Sequence, residues 1–226
     1  MAASADTAPP CLVPAGTISI EAWSHPLTAH LADERQLRLA DLYAPALPEK
    51  MPLGAAELAV LPAEDRWGRL VGDLVPKATG GSLRAALVGR GLAFIEPAAM
   101  PERCDADLRE QERRAERDRL GLWERVRIFD ATQPGLEAHA GTRVFVAGTV
   151  ASVGRTKRTT YLNFGAEYRT DFTAMMDNSA VADWEMDLET LEGVPVRVRG
   201  VLEAWNGGLI RIEHPAQLER GDYRAR

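Results

Sequence analysis

Soft metal ligands are scarce in this chain: 226 residues hold two cysteines, Cys11 and Cys104, and four histidines, His25, His30, His139 and His214. A structural zinc site wants four such ligands, and only His25 and His30 lie near each other in sequence. The sequence therefore offers no metal centre built from His or Cys. Taken alone, the cysteines fit two free thiols as well as they fit a bridge. Also missing is any apolar run of about 18 residues, so no helix is expected to cross a membrane. Positive charge is not in excess either. There are 27 Lys and Arg against 33 Asp and Glu, a formal net charge of −6, so any attraction for a polyanion must come from a local patch. The opening MAASADTAPP has neither a basic nor an apolar segment and does not read as a signal peptide. Residues 1–15 are expected to be a disordered leader, or the tail left once a leader is trimmed.

What is present is enough apolar material, 46% of the residues, to bury one large core or two small ones. Segments 17–23 and 36–45 read as strands, with Pro26 in the turn between them. Two more short strands flank the turn Asp65-Arg66-Trp67-Gly68-Arg69. Gly80-Gly81-Ser82 opens a helix with Ser82 as its N-cap, Gly91 closes it, and residues 92–95 return as a strand. A charged helix is expected from about 104 to 126. Its eight Arg and seven Asp or Glu between Arg103 and Arg127 suit a solvated face laced by i,i+4 pairs. Residues 127–141, with Pro134, Gly135 and Gly141 and no periodicity, read as a linker. Beyond it, 142–220 shows five short strands, a helix and a closing strand, the pattern of a small OB-type barrel. There Val194, Val196 and Val198 are expected on one face and Arg197 and Arg199 on the other. Residues 221–226 complete the chain as a tail. The fold class expected is mainly β with α: an OB barrel with helices over 16–126, then a second OB-like β-barrel.

Four motifs stand in order along the first half: Arg38-Leu39-Ala40 leading into Ala44-Pro45, Asp65-Arg66-Trp67-Gly68-Arg69, Leu87-Val88-Gly89-Arg90-Gly91-Leu92-Ala93, and Gly121-Leu122-Trp123. Together they resemble the staphylococcal thermonuclease family over roughly residues 17 to 123. The resemblance implies metal-assisted phosphodiester hydrolysis, with calcium held by carboxylates, a glutamate as general base and two arginines neutralising developing charge. Little of that chemistry carries over. The first ligand carboxylate falls on Leu27, the second on Tyr43 and the glutamate on Ala46, while the helix arginine falls on Gly89 with Arg90 one step along. The strand arginine alone remains, as Arg38. Losing one electrostatic element costs roughly 10²- to 10³-fold in rate, but losing both ligands removes the metal and its activated nucleophile together. A catalytically degenerate relative without a cofactor is expected. Calcium enters only in the alternative, a phosphodiesterase with a relocated metal site, for which Asp41 and Asp33 are the carboxylates in reach. The Asp65-to-Arg69 turn is read as hairpin geometry without chemistry.

The second half resembles the C-terminal region of exported, thermonuclease-like bacterial proteins. The likeness rests on Gly148-Thr149-Val150-Ala151-Ser152-Val153, Tyr161-Leu162-Asn163-Phe164-Gly165, Asp171-Phe172-Thr173, Trp205-Asn206-Gly207-Gly208 and Ile212-Glu213-His214-Pro215. These relatives carry one cysteine before the first strand and one before the charged helix. That implies a Cys11–Cys104 bond and a periplasmic or secreted protein; without a trimmed leader the chain would be cytoplasmic. In the second barrel Arg155, Lys157 and Arg158 share a hairpin, with Tyr161, Tyr168 and Arg169 close by. Cations interleaved with aromatics are what a single-strand-binding OB face uses, and Arg197, Arg199 and Arg211 at alternating positions would extend it. The competing expectation is a solubilising loop with Tyr161 in the core. The function expected is binding of single-stranded nucleic acid or of another protein, with a relocated phosphodiesterase and a structural envelope protein as alternatives.

Overall fold

The computed structural model describes residues 11–167, 170–182, 184, 186–221 and 223. Residues 1–10 of the expected leader and most of the expected tail lie outside the described residues. The chain divides into two compact units, Met1–Glu124 and Arg125–Arg226.

The first unit is built from β1 (Val13–Ser24), β2 (Thr28–Leu31), β3 (Gln36–Leu39), β4 (Leu42–Tyr43), β5 (Gly54–Val60), β6 (Leu70–Pro76), α1 (Leu83–Gly89), β7 (Phe94–Ile95) and α2 (Ala106–Arg117). Five of the strands close a barrel in the order β1-β2-β3-β6-β5, with β3 and β6 parallel. Alternating residues, among them Leu37, Leu39, Ala56, Leu58 and Leu74, point inward to meet Leu83, Leu87 and Val88 of α1. Ser82 caps that helix as expected, its hydroxyl accepting from the Ala85 N–H at 3.0 Å.

Two expected elements are broken, each for a local reason. Segment 36–45 is two strands, because Asp41 takes φ +49° and turns its carboxylate toward the Ala99–Met100 backbone. The long charged helix divides into a 3-10 turn at Glu102–Asp105, then α2, then a second 3-10 turn at Gly121–Glu124. Its end is fixed by two glycines whose backbones cross. A Cβ on Gly91 would stand 2.0 Å from the Leu120 carbonyl oxygen, and one on Gly121 would stand 2.5 Å from the Gly91 oxygen. On α2 itself Glu110 pairs with Arg113, Arg114 and Arg117, the solvated face that the composition suggested.

The second unit contains β8 (Ile128–Asp130), β9 (Arg143–Thr149), β10 (Ser152–Arg155), β11 (Thr159–Asn163), β12 (Thr173–Asp177), α3 (Asn178–Val181), β13 (Pro195–Glu203), β14 (Leu209–Arg211) and β15 (Leu218–Arg220). The sheet runs β10-β11-β12-β14-β13-β9-β8, with β15 added to β13 and with β12 parallel to β14. β9 and β10 are parts of one bent stretch. At the bend Val150 donates to Val194 on one side, while Ala151 donates to Asn163 on the other. The bend thus joins the two ends of the sheet through one chain segment, and the sheet holds two parallel contacts, β12–β14 and β8–β9. The segment expected as a linker at 127–141 is part of this unit. β8 pairs with β9, and Phe129, Ala131 and Leu136 sit in the core.

Candidate functional site

The acid positions implied by the family resemblance cluster around the start of β2 and the end of β4. Leu27 holds φ +40°, a left-handed conformation more natural to Asp or Asn than to leucine, and its side chain is fully buried at 0% exposure. Tyr43 is half-buried and Ala46 is exposed. Gly89 lies on the α2 side of α1, where a Cβ would stand 3.1 Å from Gln111 Oε1; Arg90 is exposed at the helix C-cap. Arg38 pairs in register with Thr28 and donates to the Leu42 carbonyl at 2.7 Å.

The carboxylates considered for a relocated metal site are engaged elsewhere. Asp41 is buried, with Oδ1 accepting from Ala99 N–H at 2.8 Å and Oδ2 from Met100 N–H at 3.1 Å. Asp33 is exposed and paired with Arg35 at 2.7 Å. Nearby, Arg84 is buried, with Nε donating to the Ala40 carbonyl at 2.7 Å and Nη2 to Asp105 at 2.8 Å. Burial pushes the Asp105 carboxyl above its usual range, the Asp41 charge adding to this against the pull of Arg84. Such a bonded pair holds α1 against the β3–β4 corner. The next residue back, Cys104, is bonded to Cys11 across a sequence separation of 93, with Cα atoms 5.7 Å apart.

One arginine was missed in the sequence. Arg69 closes the Asp65-to-Arg69 turn and reaches Thr28 Oγ1 at 3.4 Å, so it flanks the same residue that Arg38 opposes. The parallel β3–β6 pairing, Leu37 to Leu70, brings it there, and local sequence carries no sign of that pairing. Asp65 orders the turn, accepting from the N–H groups of Trp67 and Arg69 at 2.9 and 3.0 Å and from Arg69 Nε at 2.8 Å. Burial works against the Asp65 charge, yet these hydrogen bonds hold its carboxyl below the usual range. Trp67 is 63% exposed, with the Arg66 guanidinium 3.9 Å from its ring centre.

The second unit sorts its cations differently from the expected strip. Arg197 and Arg199 are buried at 1% and 5% exposure, because β15 lays Glu219 across both. Phe145 and Tyr223 cover the Arg197 guanidinium, with ring centres at 5.2 and 4.2 Å. Burial alone would raise the Glu219 carboxyl, but the charges of Arg199 and Arg197 hold it down at about 2. Arg211 is committed to Glu203 at 2.8 Å. These three arginines form no open basic strip. Arg155 pairs with Glu189 at 3.8 Å at a pocket of about 360 Å³ that Val153, Val181, Met186 and Leu188 also line. Lys157 and Arg158 are exposed on the hairpin, and Tyr161 is half-buried. Tyr168 and Arg169 lie outside the described residues.

Among the described residues no three His, Cys, Asp or Glu side chains are placed to hold a metal ion, and no helix is long and apolar enough to cross a membrane. No curated protein matches the chain. Residues 47–125 match the family model described as staphylococcal nuclease homologue. That span includes the Asp65-to-Arg69 turn, α1 and Gly121-Leu122-Trp123, while Leu27, Arg38, Tyr43 and Ala46 precede it. The match supports this family for the first unit, and the closed five-strand barrel fits the family's OB fold.

Proposed function

We propose that this chain is a non-hydrolytic thermonuclease-like protein that binds a macromolecular ligand, nucleic acid or protein, without cleaving it. One observation carries the reading. The acid positions hold Leu27, Tyr43 and Ala46, and Asp41, the carboxylate beside them in sequence, has both oxygens bound by backbone N–H groups. Calcium-assisted hydrolysis needs oxygen ligands for the ion and a base for the water, and these residues supply neither. Arg38 and Arg69 persist beside Thr28, but a carbonyl and a carboxylate already engage them. The barrel thus serves as scaffold. The Cys11–Cys104 bond supports an oxidising compartment, periplasmic or extracellular.

Calcium titration by calorimetry tests the reading, with no binding expected up to millimolar concentration. Saturable calcium binding that Asp41→Asn abolishes would sink it in favour of a relocated metal site.

A further inference from the structure

The second barrel carries one sheet face whose composition suits a specific ligand. Leu162, Ala174 and Ile210 are buried at 0% exposure and point into the core, so the residues flanking them point out. Cross-strand register places Gly154, Tyr161, Met175 and Arg211 in one outward row, Ser152, Asn163, Thr173 and the buried Leu209 in the next, and Thr159 with the exposed Asp177 in the row beside the hairpin. Arg155 pairs with Thr160 and so belongs to the opposite face, with Glu189. Across the strand from Tyr161 stands Gly154, which has no side chain to lay against the ring. Asn163 Nδ2 donates to Ser152 Oγ at 3.1 Å, adding an amide and a hydroxyl to the row beyond.

Two turns bound this face. At one end the β10–β11 hairpin presents Lys157 and Arg158, exposed and with no carboxylate partner among the described residues. At the other, the β13–β14 turn presents Trp205, 60% exposed. That turn is held firmly. Gly208 donates to the Trp205 carbonyl at 2.8 Å, and Gly207 packs so closely on Thr170 that a Cβ would stand 1.8 Å from its carbonyl oxygen. The indole is therefore offered to solvent on an ordered backbone. Between the turns lie about six residue rows, roughly 20 Å at ~3.3 Å per residue.

We infer that the outer face of β11 and β12, bounded by Lys157–Arg158 and Trp205, is a shelf for a short single strand of nucleic acid. Tyr161 and Trp205 are the stacking platforms and the two hairpin cations are the phosphate contacts. The inference rests on the binding reading above and names its ligand and surface. The strand is short, near the low end of OB-fold sites at ~4 nucleotides. Long-range attraction does not assist it, since residues 125–226 carry 13 Lys and Arg against 14 Asp and Glu. A peptide suits the face less well, because Gly154, Asn163 and Thr173 separate the rings and leave no continuous apolar groove.

The test is fluorescence anisotropy of a fluorescein-labelled (dT)12 titrated with the full chain at about 50 mM salt, repeated up to ~200 mM. Trp205→Ala and Tyr161→Ala are each expected to weaken binding about 5- to 150-fold if a base stacks there. Trp205→Ala, at an exposed site, should leave the melting temperature in place, which separates lost stacking from lost folding. The pair Lys157→Gln/Arg158→Gln should flatten the log–log salt slope by about 1.4, at ~0.7 per phosphate contact. Absence of saturable binding at 50 mM salt overturns the inference, as does displacement of the probe by a neutral oligosaccharide such as maltohexaose. Affinity that falls on Arg38→Ala and ignores Trp205→Ala puts the strand on the first barrel and refutes the shelf, leaving the non-hydrolytic reading intact. Cleavage of the probe refutes that reading instead.

Discussion

Removing the charge of Glu219 should unfold the second unit at markedly lower temperature, and the structure gives the size of the effect. The Glu219 side chain is 11% exposed, against 1% for Arg197 and 6% for Arg199. Holding a carboxyl at about 2 instead of 4.5 corresponds to roughly 3 kcal/mol, at ~1.4 kcal/mol per pH unit. Breaking a buried pair from one side typically costs 3–5 kcal/mol, because the partner charge stays behind uncompensated. Glu219→Gln leaves two such cations, so a loss of about 3–5 kcal/mol is expected. For a unit of this size that lowers the midpoint by about 12–40 °C, at ~4–8 °C per kcal/mol. The sign with pH follows from the lowered pKa. The contribution is complete above the unfolded value of 4.5 and is lost as pH falls toward 2. Thermal denaturation followed by circular dichroism from pH 7 to pH 2 reads both effects. Wild type should lose stability across the acid range, and the variant should start lower and fall less steeply there. A variant melting within about 2 °C of wild type at pH 7 would mean that Glu219 does not hold the two arginines in place, as would identical acid limbs.

Other outcomes follow from the first barrel. The Cys11–Cys104 bond closes a long loop, so Cys104→Ser should destabilise by about 4–5 kcal/mol in the chain-entropy description; alkylation of the unreduced protein should label no thiol, and two labelled thiols would refute the bond. Gly91→Ala forces a Cβ against the Leu120 carbonyl from a backbone at φ +66°, so its urea midpoint should drop by an amount equivalent to more than about 2 kcal/mol. A neutral result would mean that the Gly91–Gly121 crossing is looser than described.

Much of this fold is legible in the sequence, and the departures have physical causes. Ser82 as an N-cap, the strands around the Asp65 turn and the β13 alternation are local patterns, and local patterns survive folding. The Arg197 and Arg199 positions alternate correctly, yet they face Glu219, Phe145 and Tyr223 instead of water. Their cover arrives from a strand some twenty residues later, which periodicity cannot foresee. Residues 127–141 looked like a linker because Pro134 and the glycines outweigh a short apolar signal. Phe129 reaches the core from the three-residue strand β8, Ala131 from the turn after it and Leu136 from a 3-10 turn, each too short to show a period. The Asp41 break was hidden because its cause is a backbone segment nearly sixty residues away. The approach of Arg69 to Thr28 is illegible for a similar reason: a parallel strand pairing places it there. By contrast, the assignment of the acid positions to Leu27, Tyr43 and Ala46 rests on the resemblance alone, and Leu27 is buried in the core.

A hydrolysis assay separates binding without cleavage from a working phosphodiesterase. Labelled single-stranded DNA and RNA are incubated with the purified chain in millimolar calcium and, in parallel, in chelator, and intact strand is followed over hours. The same intact fraction is expected in both conditions, at the level of a protein-free control. Calcium-stimulated cleavage that disappears in Arg38→Ala would contradict binding without cleavage and would place a working metal site in the first barrel.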